Sequence, residues 1–287
     1  MKLVFMHDCT KYALNYEVIN FPSGEMTVRF STESRLPVES GERRFLLAIG
    51  VMTPADVFIV QAARQYIETE TLAKGLDLMC PYYPSARQDR VATEGDVNML
   101  KVYHAALSAG FNNVFTCDAH SLASETLVDK SFSVCHMLAD APEPRARGLV
   151  QAIATGFYTL VAPDNGALKR VEQVAKRFGN APVVYGLKHR DPVDGKITSY
   201  EIVGDVKDRP CLIIDDICDG GRTFTECAAK LREGGATIVS LFVTHGLFTK
   251  GVDALLDNGI DYIYTTNSTG VDIPDGYEER VSVICNV

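Results

Sequence analysis

Between Asp215 and Thr223 the chain reads DDICDGGRT, with three aspartates in five residues, then two glycines, an arginine and a threonine. Adjacent carboxylates such as Asp215 and Asp216 can accept hydrogen bonds from two neighbouring hydroxyls, directly or through Mg²⁺. Gly220 and Gly221 let a ligand approach the main chain closely. A strand-to-helix turn also aims backbone N–H groups at one point, which suits a phosphate. Phosphate by itself gains nothing from three carboxylates beside it. A phosphorylated sugar would satisfy both halves of the motif: hydroxyls on the aspartates, phosphate on the glycine-rich turn. Thr223, opening the helix, can cap it or bind phosphate. The plainer alternative is a ligand-free acidic turn that caps a helix, and the lack of a neutralising basic run nearby counts against it.

Other segments carry related chemistry. In ARQDR, Arg87 and Arg90 bracket Gln88 and Asp89. Arginine forks match phosphate oxygens and glutamine can read a base edge. His120 follows Asp118 by two residues, and Asp164 lies in PDNG. An imidazole with a carboxylate is a candidate divalent-metal site, although Mg²⁺ prefers oxygen ligands and water. Lys188 and Arg190 stand two apart in GLKHRD, just before the loop formers DPVDGK. Paired cations on a mobile loop can close over a phosphoryl group in flight. Taken singly, each has a plain counterpart: a salt-bridged surface loop, a structural histidine, an exposed charged loop. Among the remaining histidines (7, 104, 136, 189 and 245) only His245, in VTHG at a strand end, stays open.

These clusters need elements to position them. Strand-like runs occur at 2–5, 45–51, 76–80, 112–117, 159–163, 182–187, 211–214 and 237–243. Apolar stripes with helical spacing alternate with several of them. One is Met99, Val102, Tyr103 and Ala106, closed by Gly110; a second is Val171, Val174, Ala175 and Phe178, closed by Gly179; a third is Phe224, Cys227, Ala228 and Leu231, closed by Gly234-Gly235. Such alternation predicts an α/β fold with mainly parallel sheets. A linker is expected at 141–148 (APEPRARG), dividing the chain into domains 1–140 and 141–287. The polar clusters each follow an expected strand, and open α/β sheets bind ligands beyond the carboxyl ends of their strands.

Bulk properties narrow the class. The 287 residues are 46% hydrophobic and 23% charged, ample for globular cores. Net charge is −9 with no Lys/Arg block, which argues against nucleic acid as a partner. No apolar run approaches a membrane span, and MKLVFMHDCT reads as a first strand with too short an apolar stretch for a signal peptide. A cytoplasmic protein is expected. Its eight cysteines form no CxxC pair and read as reduced thiols, mostly buried.

Taken in order, FPSGE (21–25), PYYPSARQDR (81–90), DAHS (118–121), APDNG (162–166), KHR (188–190), DDICDGGRT (215–223) and VTHGLF (243–248) resemble the blocks of ribose-phosphate pyrophosphokinases, the synthetases of phosphoribosyl pyrophosphate (PRPP). The resemblance implies two type I phosphoribosyltransferase-like domains, each a mainly parallel sheet flanked by helices. It implies a Mg²⁺-dependent reaction of ATP with ribose 5-phosphate giving AMP and PRPP. By that likeness Arg87, Gln88 and Arg90 hold ATP, while Phe21, Ser23 and Glu25 form a loop reaching the adenine from a neighbouring subunit of a homo-oligomer. Asp215, Asp216, Asp219, Gly220, Gly221, Arg222 and Thr223 hold ribose 5-phosphate, His120 and Asp164 touch the metal, and Lys188 and Arg190 are catalytic. The sequence departs from the family pattern at Ser23 (aspartate in the family), Gly220 (threonine) and Arg222 (glycine), and an acidic VATEGDVN follows ARQDR where the family is basic. Two other readings share some of these blocks. A transferase that consumes PRPP would need DDxxD but not ARQDR, and a silent subunit that modulates an active synthetase would tolerate the departures.

Overall fold

The computed structural model describes residues 1–7, 10–32, 36–37, 44–71, 75–140, 143–190 and 197–284. The chain forms two compact units, Met1–Phe132 and Ser133–Val287.

The first unit contains, in chain order, β1 (Lys2–His7), β2 (Thr10–Ala13), β3 (Tyr16–Asn20), β4 (Met26–Phe30), β5 (Arg44–Ile49), α1 (Pro54–Glu70), β6 (Asp77–Met79), α2 (Met99–Ser108), β7 (Val114–Cys117), α3 (Leu122–Glu125) and β8 (Lys130–Phe132). Its sheet has the order β2-β1-β5-β6-β7-β8. β5 to β8 run parallel, and β1 pairs antiparallel with both β2 and β5. β3 and β4 form a separate antiparallel hairpin, whose Phe30 stacks on Tyr66 of α1 at 4.7 Å. The core is built from Phe5, Leu46, Ile67, Leu78, Leu100 and Leu107, all fully buried. α1 starts with a reciprocal cap between Thr53 and Asp56 and with Pro54 in its first turn, where its missing N–H costs nothing. In α2 the buried face is Leu100 and Leu107, with Tyr103 and His104 half-buried beside them, one position off the predicted stripe; Val102 and Ala106 are exposed.

The second unit contains α4 (Val134–Ala139), α5 (Pro144–Ala154), β9 (Thr159–Ala162), α6 (Asn165–Arg177), β10 (Val183–Arg190), β11 (Ile197–Val203), β12 (Pro210–Cys218), α7 (Arg222–Glu233), β13 (Ile238–Gly246), α8 (Asp253–Leu256), β14 (Tyr262–Thr266) and β15 (Val281–Ile284). The sheet order is β11-β10-β9-β12-β13-β14-β15, parallel except for β11. From β9 the chain builds outward through β10 to β11, then returns to place β12 on the other side of β9. That reversal leaves a crevice at the carboxyl ends of β9 and β12, where such sheets bind ligands.

The expected α/β architecture with mainly parallel sheets is what each unit adopts. The units divide eight residues before the expected boundary. Residues 141–142 of the expected linker lie outside the described residues, and 144–148 open α5 instead, with Pro144 in the first turn and Ala146 and Leu149 buried. No helix among the described residues is long and apolar enough to cross a membrane. The cysteines at 80, 117, 211, 218 and 227 are free and buried, and Cys135 is free and half-buried; Cys9 and Cys285 lie outside the described residues.

Candidate active site

β12 extends past the apolar run that predicted it. Cys211 to Ile214 are completely buried, and pairing with β13 carries the strand on through Asp215 to Cys218. The two aspartates therefore belong to the strand end, and the turn is Asp219 to Gly221. Asp216 is 4% exposed. Asp215 accepts a 2.9 Å hydrogen bond from the Asp216 N–H through its own Oδ1. Arg170 of α6, which sequence reasoning missed, places Nη1 3.4 Å from Asp215 Oδ1 and 3.7 Å from Asp216 Oδ1. Burial pushes the Asp215 carboxyl well above its usual range, Asp216 pushes it further, and Arg170 opposes both. Nothing in the spacing of Arg170 identifies it; it qualifies because α6 packs against β9 and β12.

Gly221 precedes α7 with φ +77°, and a Cβ there would stand 2.7 Å from Leu255 Cδ2, so the turn requires glycine. Gly221, not Thr223, occupies the cap position, and α7 starts without a side-chain cap. A glycine cap leaves the first N–H groups of the helix for a ligand, the arrangement that binds anions. The buried stripe Phe224, Cys227, Ala228 and Leu231 fixes the direction of the helix. The Arg222 side chain is exposed, and its Nε donates to Glu226 Oε1 at 2.7 Å.

At the end of β9, Asp164 caps α6 by accepting from the Gly166 N–H at 2.9 Å, and its other oxygen accepts from Lys188 Nζ at 3.1 Å. Lys188 sits in β10 opposite Tyr200 of β11, not in a loop. The antiparallel partner lengthens β10 beyond its apolar run. Arg190 ends β10, and its side chain lies outside the described residues, as do residues 191–196. The Tyr200 hydroxyl donates to the Pro163 carbonyl at 2.9 Å, next to Asp164. It reaches there across Gly186, where a Cβ would fall on the Tyr200 hydroxyl and 2.6 Å from Pro163 O. Tyr200 and Gly186 are further residues that the sequence did not signal. His245, left open, is buried in β13 with Nδ1 2.8 Å from Ser268 Oγ.

In the first unit, PYYPSARQDR follows β6. Tyr82, Tyr83 and Ala86 are buried, and Arg87, Gln88 and Arg90 are exposed. Tyr83 Oη lies 2.8 Å from His104 Nδ1 on α2; burial lowers the His104 pKa and raises that of Tyr83. Asn98, the cap of α2, donates through Nδ2 to Asp89 O at 2.6 Å and accepts from the Lys101 N–H. The segment is thus clamped to α2 while its polar ends face out. Arg90 Nε is 3.9 Å from Asp89 Oδ1. Beyond β7, Asp118 is buried with φ +37°, and His120 is exposed. Phe21, Ser23 and Glu25 form the exposed tip of the β3–β4 hairpin, closed by Phe21 N–H to Glu25 O at 2.8 Å and by Ser23 Oγ to Glu25 Oε2 at 2.9 Å.

The structure therefore brings together Asp164 with Lys188, and Asp215 with Asp216, at neighbouring strand ends of one sheet. The described residues contain no group of three or more His, Cys, Asp or Glu that could hold a metal. Magnesium is ordinarily bound by one or two carboxylates with substrate phosphates, not by a full protein cage. Asp164, a partly exposed carboxylate at the crevice, is a donor of that kind.

A family model described as "Phosphoribosyl transferase domain" matches residues 145–278. The chain is 30% identical over 203 residues to a ribose-phosphate pyrophosphokinase of Hyphomonas neptunium, covering 68% of this chain and 62% of that protein. To a ribose-phosphate pyrophosphokinase of Pyrococcus furiosus it is 28% identical over 255 residues, covering 88% of this chain and 86% of that one. Over these spans the chain is similar to ribose-phosphate pyrophosphokinases. The alignment spans less than two thirds of the Hyphomonas protein's length. A phosphoribosylpyrophosphate synthetase from Mycobacterium smegmatis superposes with a TM-score of 0.71 at 23% identity, over 95% of this chain and 86% of that one. That likeness bears out the expected fold of two phosphoribosyltransferase-like α/β domains.

Proposed function

We propose that this chain is a ribose-phosphate diphosphokinase, moving the β,γ-diphosphoryl group of ATP onto the anomeric hydroxyl of ribose 5-phosphate. The observation that carries this reading is the crevice between β9 and β12, where a carboxylate pair, an uncapped helix and an Asp164–Lys188 pair stand at adjacent strand ends. Asp215 and Asp216 take the ribose hydroxyls, and Asp219, Gly220, Gly221 and Thr223 with the α7 N–H groups take the 5-phosphate. The anomeric oxygen attacks the β-phosphorus and loses its proton, the bond to the α–β bridging oxygen breaks, and AMP leaves. Lys188 neutralises charge on the transferring group, and Arg190 is assigned the same role. Catalysis of this type is chiefly positioning and charge neutralisation. Asp164 in the second unit is the proposed protein ligand for Mg²⁺, which would supply further neutralisation of the phosphates when bound; His120 in the first unit is a separate candidate donor.

ATP is assigned to the clamped segment of the first unit, with the Arg87 and Arg90 guanidiniums on phosphate and Gln88 on the base. The exposed ring of Phe21 on the hairpin tip, with Ser23 and Glu25, supports an adenine contact delivered to another subunit of a homo-oligomer. Two features favour the synthetase over a transferase that consumes PRPP: the relatives that match across both units carry the synthetase name, and ARQDR is held in a defined conformation. Against a silent subunit, the Arg222 side chain is exposed and paired with Glu226.

The test is AMP formation by the purified chain. AMP should accumulate from ATP only when ribose 5-phosphate and Mg²⁺ are both supplied, with PRPP in equal amount. Binding of both substrates without AMP would point to the silent subunit, and release of pyrophosphate from PRPP with a nucleobase would point to the transferase.

A further inference from the structure

The loop after β13 lies against the glycine turn. The N–H groups of Leu247 and Phe248 donate to Cys218 O at 2.8 and 3.1 Å, the Thr249 N–H donates to Asp219 O at 3.2 Å, and Thr249 Oγ1 donates to Asp219 Oδ1 at 2.7 Å. The Phe248 ring fills the space beside Gly246 and is itself buried. Four hydrogen bonds and a buried ring hold this loop against the turn, so the next residue, Lys250, has a defined place. Its stem covers the bare Gly220: Cε, Cδ and Cγ stand 3.5, 3.7 and 3.9 Å from where a Cβ on Gly220 would be.

We propose that Lys250 is a further substrate-binding residue, setting its ammonium on the phosphate of the sugar held by the turn; this rests on the sugar-phosphate reading of that turn. A phosphate at the start of α7 sits near Asp215, Asp216 and Asp219, and Arg170 is committed to the first two. The turn's own cation, Arg222, is engaged by Glu226. Lys250 is exposed, lies over the turn and has no ion pair among the described residues. A lysine stem is flexible and carries three donors, so the ammonium can settle on an incoming oxygen while the stem stays on the glycine. The stem lies over Gly220 at ordinary van der Waals distance from where a Cβ would stand. The phosphate contact is thus split between backbone N–H groups that fix its position and one lysine that balances its charge.

Isothermal titration of ribose 5-phosphate into the full chain with Mg²⁺ tests this. Lys250→Met keeps the stem and removes the charge, and should weaken ribose 5-phosphate binding about tenfold or more, as for a charge-assisted hydrogen bond. ATP affinity should be unchanged, and Lys250→Arg should retain most of the affinity. Binding by Lys250→Met within about twofold of the parent, with an unchanged thermal melt, overturns the inference while leaving the sugar-phosphate turn intact. A parent chain that binds inorganic phosphate but not ribose 5-phosphate overturns the sugar reading and this inference with it.

Discussion

Arg170 offers the sharpest test of how the acidic strand end is held. Its side chain is 13% exposed, and Nη1 lies 3.4 and 3.7 Å from the oxygens of Asp215 and Asp216, whose side chains are 16% and 5% exposed. Arg170→Met keeps most of the volume and leaves two nearly buried carboxylates without this cation. Removing one partner of a buried pair costs about 3–5 kcal/mol. These separations exceed ideal hydrogen-bond lengths, so the lower end, about 3 kcal/mol, is expected at neutral pH. The loss should depend on pH with a definite sign. Burial and Asp216 raise the folded-state pKa of Asp215 above its unfolded value, so the folded chain holds that proton more tightly. Stability from this group is full below the unfolded pKa and is lost as pH rises through the folded one. Arg170 opposes the raised pKa, so its removal extends the loss: the variant should be close to the parent in acid and fall behind as pH rises. Urea unfolding between about pH 5 and about pH 8 measures this, read as a shift in midpoint at constant slope. A variant as stable as the parent at the upper pH, or a deficit that stays constant across the range, would refute the argument that Arg170 offsets ionised carboxylates.

If its charge serves the transferring group as proposed, Lys188→Ala should lower kcat about 10³-fold or more and change ribose 5-phosphate affinity little; equal loss in kcat and in binding, by AMP assay and titration, would reassign Lys188 to the ground state. Tyr200→Phe leaves the Pro163 carbonyl without its donor and should cost about 1 kcal/mol, a fall of about 2–4 °C in melting temperature. Gly186→Ala should cost more than that, since its Cβ would displace both Tyr200 and Pro163; a milder melt than that of Tyr200→Phe would contradict the close packing.

Much of the fold was legible because local signals agreed with it. The eight expected strands each occur, and the stripe Phe224, Cys227, Ala228 and Leu231 buries as its spacing predicted. Strands whose apolar residues are interrupted by polar ones, such as β11, or with short or exposed runs, such as β2 and β3, escaped notice because pairing with a neighbour defines them more than burial does. The same effect moved the ends of β10 and β12. Lys188 and Asp215 look like loop residues by composition, yet hydrogen bonding to β11 and β13 draws them into strands.

The residues proposed for the chemistry are legible in the sequence because that chemistry needs particular types: carboxylates for hydroxyls, glycines where φ is positive, cations for phosphate. Even Gly221 could be read from its neighbours, since few other residues tolerate that turn. The residues that hold them in place are another matter. Arg170, Tyr200, His104 and Lys250 carry no spacing signal relative to the groups they serve, which lie 45, 37, 21 and 30 positions away. Any arginine, tyrosine, histidine or lysine would look the same in the sequence. Their roles arise only when strand order and helix packing bring distant positions within hydrogen-bond or van der Waals reach, forces too short-ranged to leave a mark along the chain.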